Sequence, residues 1–295
     1  MSVTQKTASR RRFVRGGVAL TGGLLALPSL PAEGSALADE SAANETLRTI
    51  YSLRSIHGDF SDKRVSDSDV KTILEASVRA ANASNMQTYS IVVSRDPEKI
   101  QKLTTYRAGC LLLYCADYTR VIDTAAHLGY EYHADNLEAF ITSSTNTILA
   151  AQTALIAAKS LGIDSLLTNG IQRGDFERIW TILDLPQQSC FPLIALLLGY
   201  PNYEPAYKRG RLKGSGVIHS ERFQRLQKSE LDEIVRLHDD MTLHIGQDNG
   251  WDKKGYKHYL DWFYKEWAHG SKPTTSEGQM FRRLKKSGFV DAQKA

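Results

Sequence analysis

The stretch TSSTNTILAAQTALIAAKSL, residues 142–161, decides the fold class of this 295-residue chain. It is rich in alanine, threonine and serine, and Gly162 follows it directly. A helix with small residues on nearly every side packs closely on several sides, either in a core or at a subunit interface. Glycine just after the last helical residue is a common helix ending. The stretch therefore predicts a long helix, closed by Gly162, against which other elements pack.

Shorter elements alternate on both sides of this helix. Apolar runs predict strands at 89–94, 110–118, 163–168 and 190–200. Helical patterns cover residues 65–82, the segment that opens on Asp96-Pro97, and residues 175–185, 228–241 and 255–270. In the first of these, Ser66 and Asp69 have the spacing of a capping box. Few strands and long helices predict an α+β fold, in which a mixed sheet is flanked by helices.

Charge and cysteine content exclude several classes of protein. Residues 1–38 hold five of the 37 basic residues and one of the 33 acidic ones, so the remainder carries 32 of each and no net formal charge. Nothing in this balance favours nucleic acid as a partner. The three cysteines form no metal or haem motif, and Cys110 and Cys115 lie in an apolar run that predicts buried structural thiols. We therefore expect no metal site.

The first 38 residues contain the three parts of an export signal. Arg10, Arg11 and Arg12 precede a short apolar run, and Ser35 to Ala38 form a small-residue exit. Paired arginines are typical of the twin-arginine route, which carries proteins that have already folded, often around a cofactor. We interpret 1–38 as a twin-arginine signal peptide, cleaved near Ala38, that sends the protein to the periplasm or the cell exterior. A disordered basic tail or a membrane-surface helix is the alternative.

Three segments far apart in the chain carry residue types suited to a phosphate and a heterocycle. They hold Arg54, Ser55 and His57 in LRSIHGDF (53–60), Asn85 and Gln87 in AANASNMQTYSIVVS (80–94), and Lys208, Arg209 and Arg211 in GYPNYEPAYKRGRL (199–212). Arginine offers a rigid fork of donors to phosphate, serine a hydroxyl and lysine a point charge, while side-chain amides suit the edge of a heterocycle. Each segment alone is also typical of an ordinary solvated turn.

Taken together and in this order, the segments resemble the FMN-dependent nitroreductase family. The matching positions are Arg54-Ser55-Ile56-His57 with Phe60, the turn at 80–89, Leu161-Gly162-Ile163, Thr168-Asn169-Gly170, Gly199-Tyr200-Pro201, Glu204-Pro205, Lys208 and Arg211. The resemblance runs from about residue 45 to residue 225. Together with the export signal, it divides the chain into a signal peptide at 1–38, a linker at 39–45, a nitroreductase-like FMN domain at 46–225 and a helical C-terminal extension at 226–295.

The resemblance implies a cofactor, FMN, and a homodimer that holds it between subunits, with helix 142–161 and the terminal extension at the interface. The implied cofactor-binding residues are Arg54, Ser55, Lys208 and Arg211 for the phosphate and ribityl chain, Asn85 and Gln87 for the flavin ring, and Thr168, Asn169 and Gly170 for backbone contact with the ring. His57 joins this set at a position where the family usually has arginine or lysine. No residue is assigned as catalytic.

The resemblance also implies an FMN-dependent oxidoreductase that passes two electrons to a nitroaromatic, quinone or enone. Reductive dehalogenation on the same scaffold and flavin binding without turnover are the alternatives. A hydrolase lacks support, because the chain has no Gly-x-Ser-x-Gly motif and His127 and His133 are six residues apart. Outside the membrane NADH and NADPH are absent, so we expect a separate electron-donor protein or membrane carrier. Loops near 119–140 and the tail are expected to select the acceptor.

Overall fold

A four-stranded antiparallel sheet forms the centre of the protein, in the order β1-β2-β4-β3. The strands are β1 (Tyr89–Ser94), β2 (Cys110–Asp117), β3 (Asp164–Thr168) and β4 (Cys190–Gly199). The computed structural model describes residues 44–173, 175–214, 216–247, 249–268 and 278–290, so the predicted signal peptide and most of the predicted linker lie outside the described residues. The only parallel pairing within the described residues is one bridge between Ser55 and Ser165.

Both faces of the sheet are covered, because alternate residues of a strand point to opposite faces. Leu111 and Leu113 of β2 face one apolar cluster, whereas Leu112 and Tyr114 face the other. Every residue of β2 is buried. A strand covered on both faces has no polar side, which explains why this run is continuously apolar in the sequence.

The long helix predicted from the opening stretch is present as α5 (Leu137–Ser160). It begins five residues earlier than expected, because the Asn136 side chain accepts a hydrogen bond from the Ala139 amide at 2.8 Å and caps the helix. Its alanines at 150, 151, 154 and 158 are fully buried beside the sheet. Gly162, at φ 73°, ends the helix as predicted.

The remaining helices pack around this frame. They are α1 (Glu45–Tyr51), α2 (Asp67–Ser77), α3 (Pro97–Thr104), α4 (Thr119–His127), α6 (Arg178–Leu183), α7 (Lys228–Asp239), α8 (Tyr259–Trp262), which continues as a π-helix over Phe263–Trp267, and α9 (Gln279–Lys286). The Ser66 cap of α2 is confirmed, since its hydroxyl accepts from the Asp69 amide at 3.0 Å. Within the described part of the chain, no helix has the length and apolar composition needed to cross a membrane.

Two expectations need correction. Residues 119–127, expected to be part of a loop, form α4, because Val121 and Ile122 pack against the apolar core. The helix expected over 255–270 begins only at Tyr259, because the Asp239 carboxylate accepts from both the Tyr259 amide and the His258 ring at 2.7 Å. The predicted burial of Cys110 and Cys115 is confirmed, and burial raises the pKa of the Cys110 thiol to about 11.

Candidate functional site

Backbone pairing brings the segment 53–60 beside β3 and beside the chain that leaves β4. The Ile56 amide donates to the Ser165 carbonyl at 3.0 Å, and the Ser61 amide donates to the Tyr200 carbonyl at 2.7 Å. Ile56 is buried, whereas its neighbours Ser55 and His57 are exposed. The same pairing therefore anchors the segment and leaves its polar side chains pointing outwards.

Arg54 is held by two carboxylates of different character. Asp164, whose side chain is only 5% exposed, accepts from Nε at 3.1 Å and from Nη2 at 2.6 Å. Glu204, which is 78% exposed, accepts from Nη1 at 2.6 Å. These hydrogen bonds, to Glu204 and to Asp164, raise the pKa of Arg54, so the guanidinium is a permanent cation.

Asp164 has a second cationic partner. Lys159, in the last turn of α5, donates from Nζ to Asp164 Oδ1 at 2.7 Å. Burial alone would raise the pKa of Asp164, but the hydrogen bonds from Arg54 and Lys159 lower it below its ordinary value. The carboxylate is therefore charged and fully engaged, and it fixes one edge of the Arg54 guanidinium.

A cavity of about 350 Å³, here called the Arg54 cavity, opens next to this guanidinium. Its lining includes Arg54, Ser55, Ile56, His57, Asp59, Glu204, Tyr207, Arg209 and Arg211. Four of the predicted site residues therefore meet here, from segments about 150 residues apart in the chain. Three arginines around one cavity fit a phosphate group, since each can donate two hydrogen bonds to phosphate oxygens.

Lys208, predicted to bind the phosphate and ribityl chain, contacts the end of α1. Its Nζ donates to the Tyr51 carbonyl at 2.5 Å, at the end of α1, and Lys208 does not line the Arg54 cavity. The next residue, Arg209, lines the cavity instead and donates to the Gly246 carbonyl. The loop is pressed against the C-terminal region at Gly210, where any Cβ would collide with the Leu243 carbonyl oxygen.

The second group of predicted residues lies in a strained turn before β1. Ser84, Asn85 and Gln87 all have left-handed backbone angles, with φ of 52°, 55° and 49°. Each such residue costs of order 1–3 kcal/mol unless its surroundings enforce the conformation. Three side chains enforce it. The side-chain oxygen of Asn82 accepts from the Gln87 backbone amide, and that of Asn146 accepts from the Ala83 backbone amide. Arg120 donates to the carbonyls of Met86 and Gln87.

The two groups occupy diagonally opposite corners of the sheet. Arg54 binds Asp164, and Asp164 pairs with Gly199 at one end of β4. The strained turn leads into Tyr89 of β1, which pairs with Ala116 of β2. Ala116 in turn pairs with Phe191, near the other end of β4. Eight residues of β4 span roughly 26 Å, and the outer strands are roughly 14 Å apart. One chain therefore does not bring Asn85 and Gln87 to the Arg54 cavity.

Thr168, Asn169 and Gly170 stand at the far end of β3 from Asp164. The Gly170 amide donates to the Thr168 hydroxyl at 2.9 Å, and none of the three lines the Arg54 cavity. Their role next to a ring stays a prediction. No cluster of three or more histidine, cysteine or carboxylate side chains suited to a metal ion occurs among the residues that the structure describes.

Comparison with known proteins identifies the family. Residues 50–112 match the nitroreductase family. The chain is 30% identical over 196 residues to the NADPH-flavin oxidoreductase of Vibrio harveyi, which covers 64% of this chain and 78% of that protein. It is also 30% identical over 186 residues to the FMN reductase (NADPH) of Bacillus subtilis strain 168, covering 60% and 73%. This chain belongs to the nitroreductase family.

A solved structure supports the same fold. NfrA2 of B. megaterium superimposes with a TM-score of 0.69 at 28% identity, over 84% of this chain and 98% of that protein. The predicted α+β fold of the nitroreductase family is therefore confirmed. Of the sequence motifs that pointed to the family, those with Arg54 and Arg211 lie at the Arg54 cavity, and the one with Asn85 and Gln87 lies in the strained turn.

Three residues that shape the candidate site had no signal in the sequence. Asp164 is 110 residues from Arg54 and lies in an apolar strand, so only the folded sheet joins them. In the sequence, Lys159 is indistinguishable from an ordinary basic residue in the last turn of a helix. Arg120 is 33 residues from Gln87 and was expected in a loop. Asp164 and Arg120 contact predicted site residues directly, whereas Lys159 acts on Arg54 through Asp164.

The buried carboxylate gives the first prediction. Asp164→Asn should lower the free energy of unfolding at pH 7 by about 1–3 kcal/mol. Three charge-assisted hydrogen bonds, two from Arg54 and one from Lys159, lose their anion in this variant. A carboxyl whose pKa is lowered by folding stabilises the protein above its unfolded pKa of about 3.9, and this contribution disappears as the pH falls through the lowered folded value. Urea unfolding of both proteins from pH 7 to pH 3 measures the difference.

The matched control is Glu204→Gln, which removes the exposed partner of the same arginine and should change the unfolding free energy far less. A stability difference for Asp164→Asn that stays constant across the pH range would contradict the charged role of Asp164.

Proposed function

We propose that this chain binds FMN with its phosphate in the Arg54 cavity and passes two electrons to an electron-poor organic acceptor. The observation that carries the proposal is the convergence of Arg54, Arg209 and Arg211 on one cavity. Family membership and the names of both relatives, one a flavin oxidoreductase and the other an FMN reductase, support an FMN-dependent oxidoreductase.

The residues of the Arg54 cavity fit the phosphate end of FMN. Asp164 keeps one edge of the Arg54 guanidinium occupied, while the exposed Glu204 is the partner that a phosphate dianion can replace. Ser55 and His57 add polar groups to the same wall. Arg54 would bind the phosphate, Arg211 and Arg209 would balance its charge, and Asp164 would orient Arg54.

The distance between the two groups of site residues supports a homodimer as part of this proposal. Arg54 and the strained turn of one chain lie on opposite corners of the sheet, too far apart to contact one FMN molecule. In a symmetric pair, the cavity of one copy can face the turn of the other. The exposed apolar residues Leu137, Ile141 and Ile148 on α5 supply a surface for such a pairing.

When bound, FMN supplies two-electron transfer through its N5. The protein's own part is positioning: the arginines hold the phosphate, and the amides of Asn85 and Gln87 meet the ring edge. We propose a nitroaromatic, quinone or enone as the acceptor. Reductive dehalogenation uses the same scaffold, and flavin binding without turnover is the alternative outside enzymology.

The electron donor depends on location. We propose export by the twin-arginine route, on the basis of Arg10 to Arg12 and the apolar run after them. An exported protein meets no NADPH, so the donor would be a separate protein or membrane carrier. The relatives' names include NADPH, which makes NADPH the donor to test against this proposal.

Stopped-flow spectroscopy of the flavin-loaded protein separates the two donors. We expect slow bleaching of the flavin by NADPH, fast bleaching by reduced viologen, and recovery of colour when a quinone is added. Fast, saturable reduction of the flavin by micromolar NADPH would contradict the proposal that a separate carrier is the electron donor, and it would weaken the case for export. Bleaching without recovery by any acceptor would favour a flavin-binding protein.

Mixed dimers test the shared site. Arg54→Ala or Arg211→Ala should each weaken FMN binding roughly 10- to 100-fold, through the loss of a charge-assisted contact. Asn85→Gly removes the ring-facing amide but tolerates the left-handed backbone. Each homodimer should lose flavin, whereas a co-purified heterodimer of Arg54→Ala with Asn85→Gly should regain about half of the wild-type content, because one of its two sites is intact.

The control for this experiment is a mixed dimer of Arg54→Ala with Arg211→Ala. Both residues line the same cavity of one chain, so each site in that heterodimer keeps one defect and flavin content should stay low. Equal flavin content in the two heterodimers would contradict a site built from two copies.

A further inference from the structure

We propose that Arg120 is a positioning residue, which holds the strained turn at 82–87 in the shape that meets the flavin ring. This inference rests on the proposed function, since the turn's partner is the ring of bound FMN. Arg120 lies in the first turn of α4, on a segment that the sequence places outside every binding motif.

The contacts of Arg120 are with backbone, and they fall at Gln87, the last left-handed residue of the turn, and at Met86 before it. Its Nη2 atom donates to the Met86 carbonyl at 2.8 Å and to the Gln87 carbonyl at 2.5 Å. Gln87 is itself left-handed, and the Gln87 carbonyl also accepts from the Tyr89 amide at 2.7 Å. A cation on two successive carbonyls fixes the peptide planes on either side of Gln87.

The base of Arg120 is itself fixed. The Asp117 carboxylate, at the end of β2, accepts from the Thr119 amide at 2.8 Å and from the Thr119 hydroxyl at 2.7 Å, and also accepts from the Ser90 hydroxyl of β1. Asp117 is buried, so the start of α4 is joined to the two strands beside the turn. Arg120 therefore extends from a rigid base.

The other side chains that support the turn are neutral. Asn146 of α5 accepts from the Ala83 amide at 2.9 Å, and Asn82 accepts from the Gln87 amide at 3.0 Å. With Arg120 removed, these two hydrogen bonds to backbone amides remain, but the carbonyls of Met86 and Gln87 lose their cation. The expected defect is local: the turn becomes mobile while the fold and the Arg54 cavity persist.

Two ligands isolate this defect, since FMN carries a phosphate and riboflavin does not. Arg120→Ala should weaken the binding of both FMN and riboflavin by the same factor, roughly tenfold. Arg54→Ala, in contrast, should weaken the binding of FMN and leave the binding of riboflavin unchanged. Arg120→Lys keeps a cation near the carbonyls and should recover most of the affinity. Arg79→Ala is the matched control, because Arg79 is exposed and close in sequence to the turn, and it should bind both flavins like the wild type.

Hydrogen exchange on the flavin-free protein gives a readout independent of binding. The Met86 and Gln87 amides should exchange roughly tenfold faster in Arg120→Ala, with an unchanged midpoint of urea unfolding. Unchanged exchange at these amides would overturn the inference. A loss of affinity for FMN but not for riboflavin would also overturn it, because Arg120 would then act on the phosphate and not on the turn. Wild-type protein that binds neither flavin would overturn the proposed function instead, and the exchange rates would still decide whether Arg120 holds the turn.

Discussion

The Asp164 carboxylate joins the parts of the protein on which the site depends. It begins β3, receives Lys159 from the end of α5, and holds Arg54 from the segment beside β3. A carboxylate this deeply buried is costly unless cations and hydrogen bonds compensate it, so the two basic partners are required by its burial. The carboxylate occupies one edge of the Arg54 guanidinium and leaves the other edge facing the cavity, where the exposed Glu204 binds it.

The order of strands sets the second constraint. Because β1 and β3 are the outer strands and run from opposite ends of the sheet, the strained turn and Arg54 stand at opposite corners of one chain. In the proposed homodimer, a cofactor that contacts both would lie between two copies. The buried alanines of α5 belong to the core of one chain, and the exposed apolar residues of the same helix would face the partner.

Local sequence signals predicted the fold well where the cause is local. The strand at 89–94 matches β1 at both ends, and Ser66 and Gly162 mark helix termini through caps that involve neighbouring residues. The sequence could also place Arg54 and Asn85 in motifs. It could not join Arg54 to Asp164, or predict that Arg120 supports the turn, because those contacts exist only once the sheet is assembled. The domain limits and the export signal stay predictions.

A crystal structure of the FMN-loaded protein would show which residues hold the cofactor and whether they come from two copies. We expect that the phosphate contacts Arg54 of one copy in place of Glu204, that Arg54 keeps its two hydrogen bonds to Asp164, and that the ring contacts Asn85 in the turn of the other copy. A phosphate bound away from Arg54, or a flavin held wholly within one chain, would contradict this arrangement.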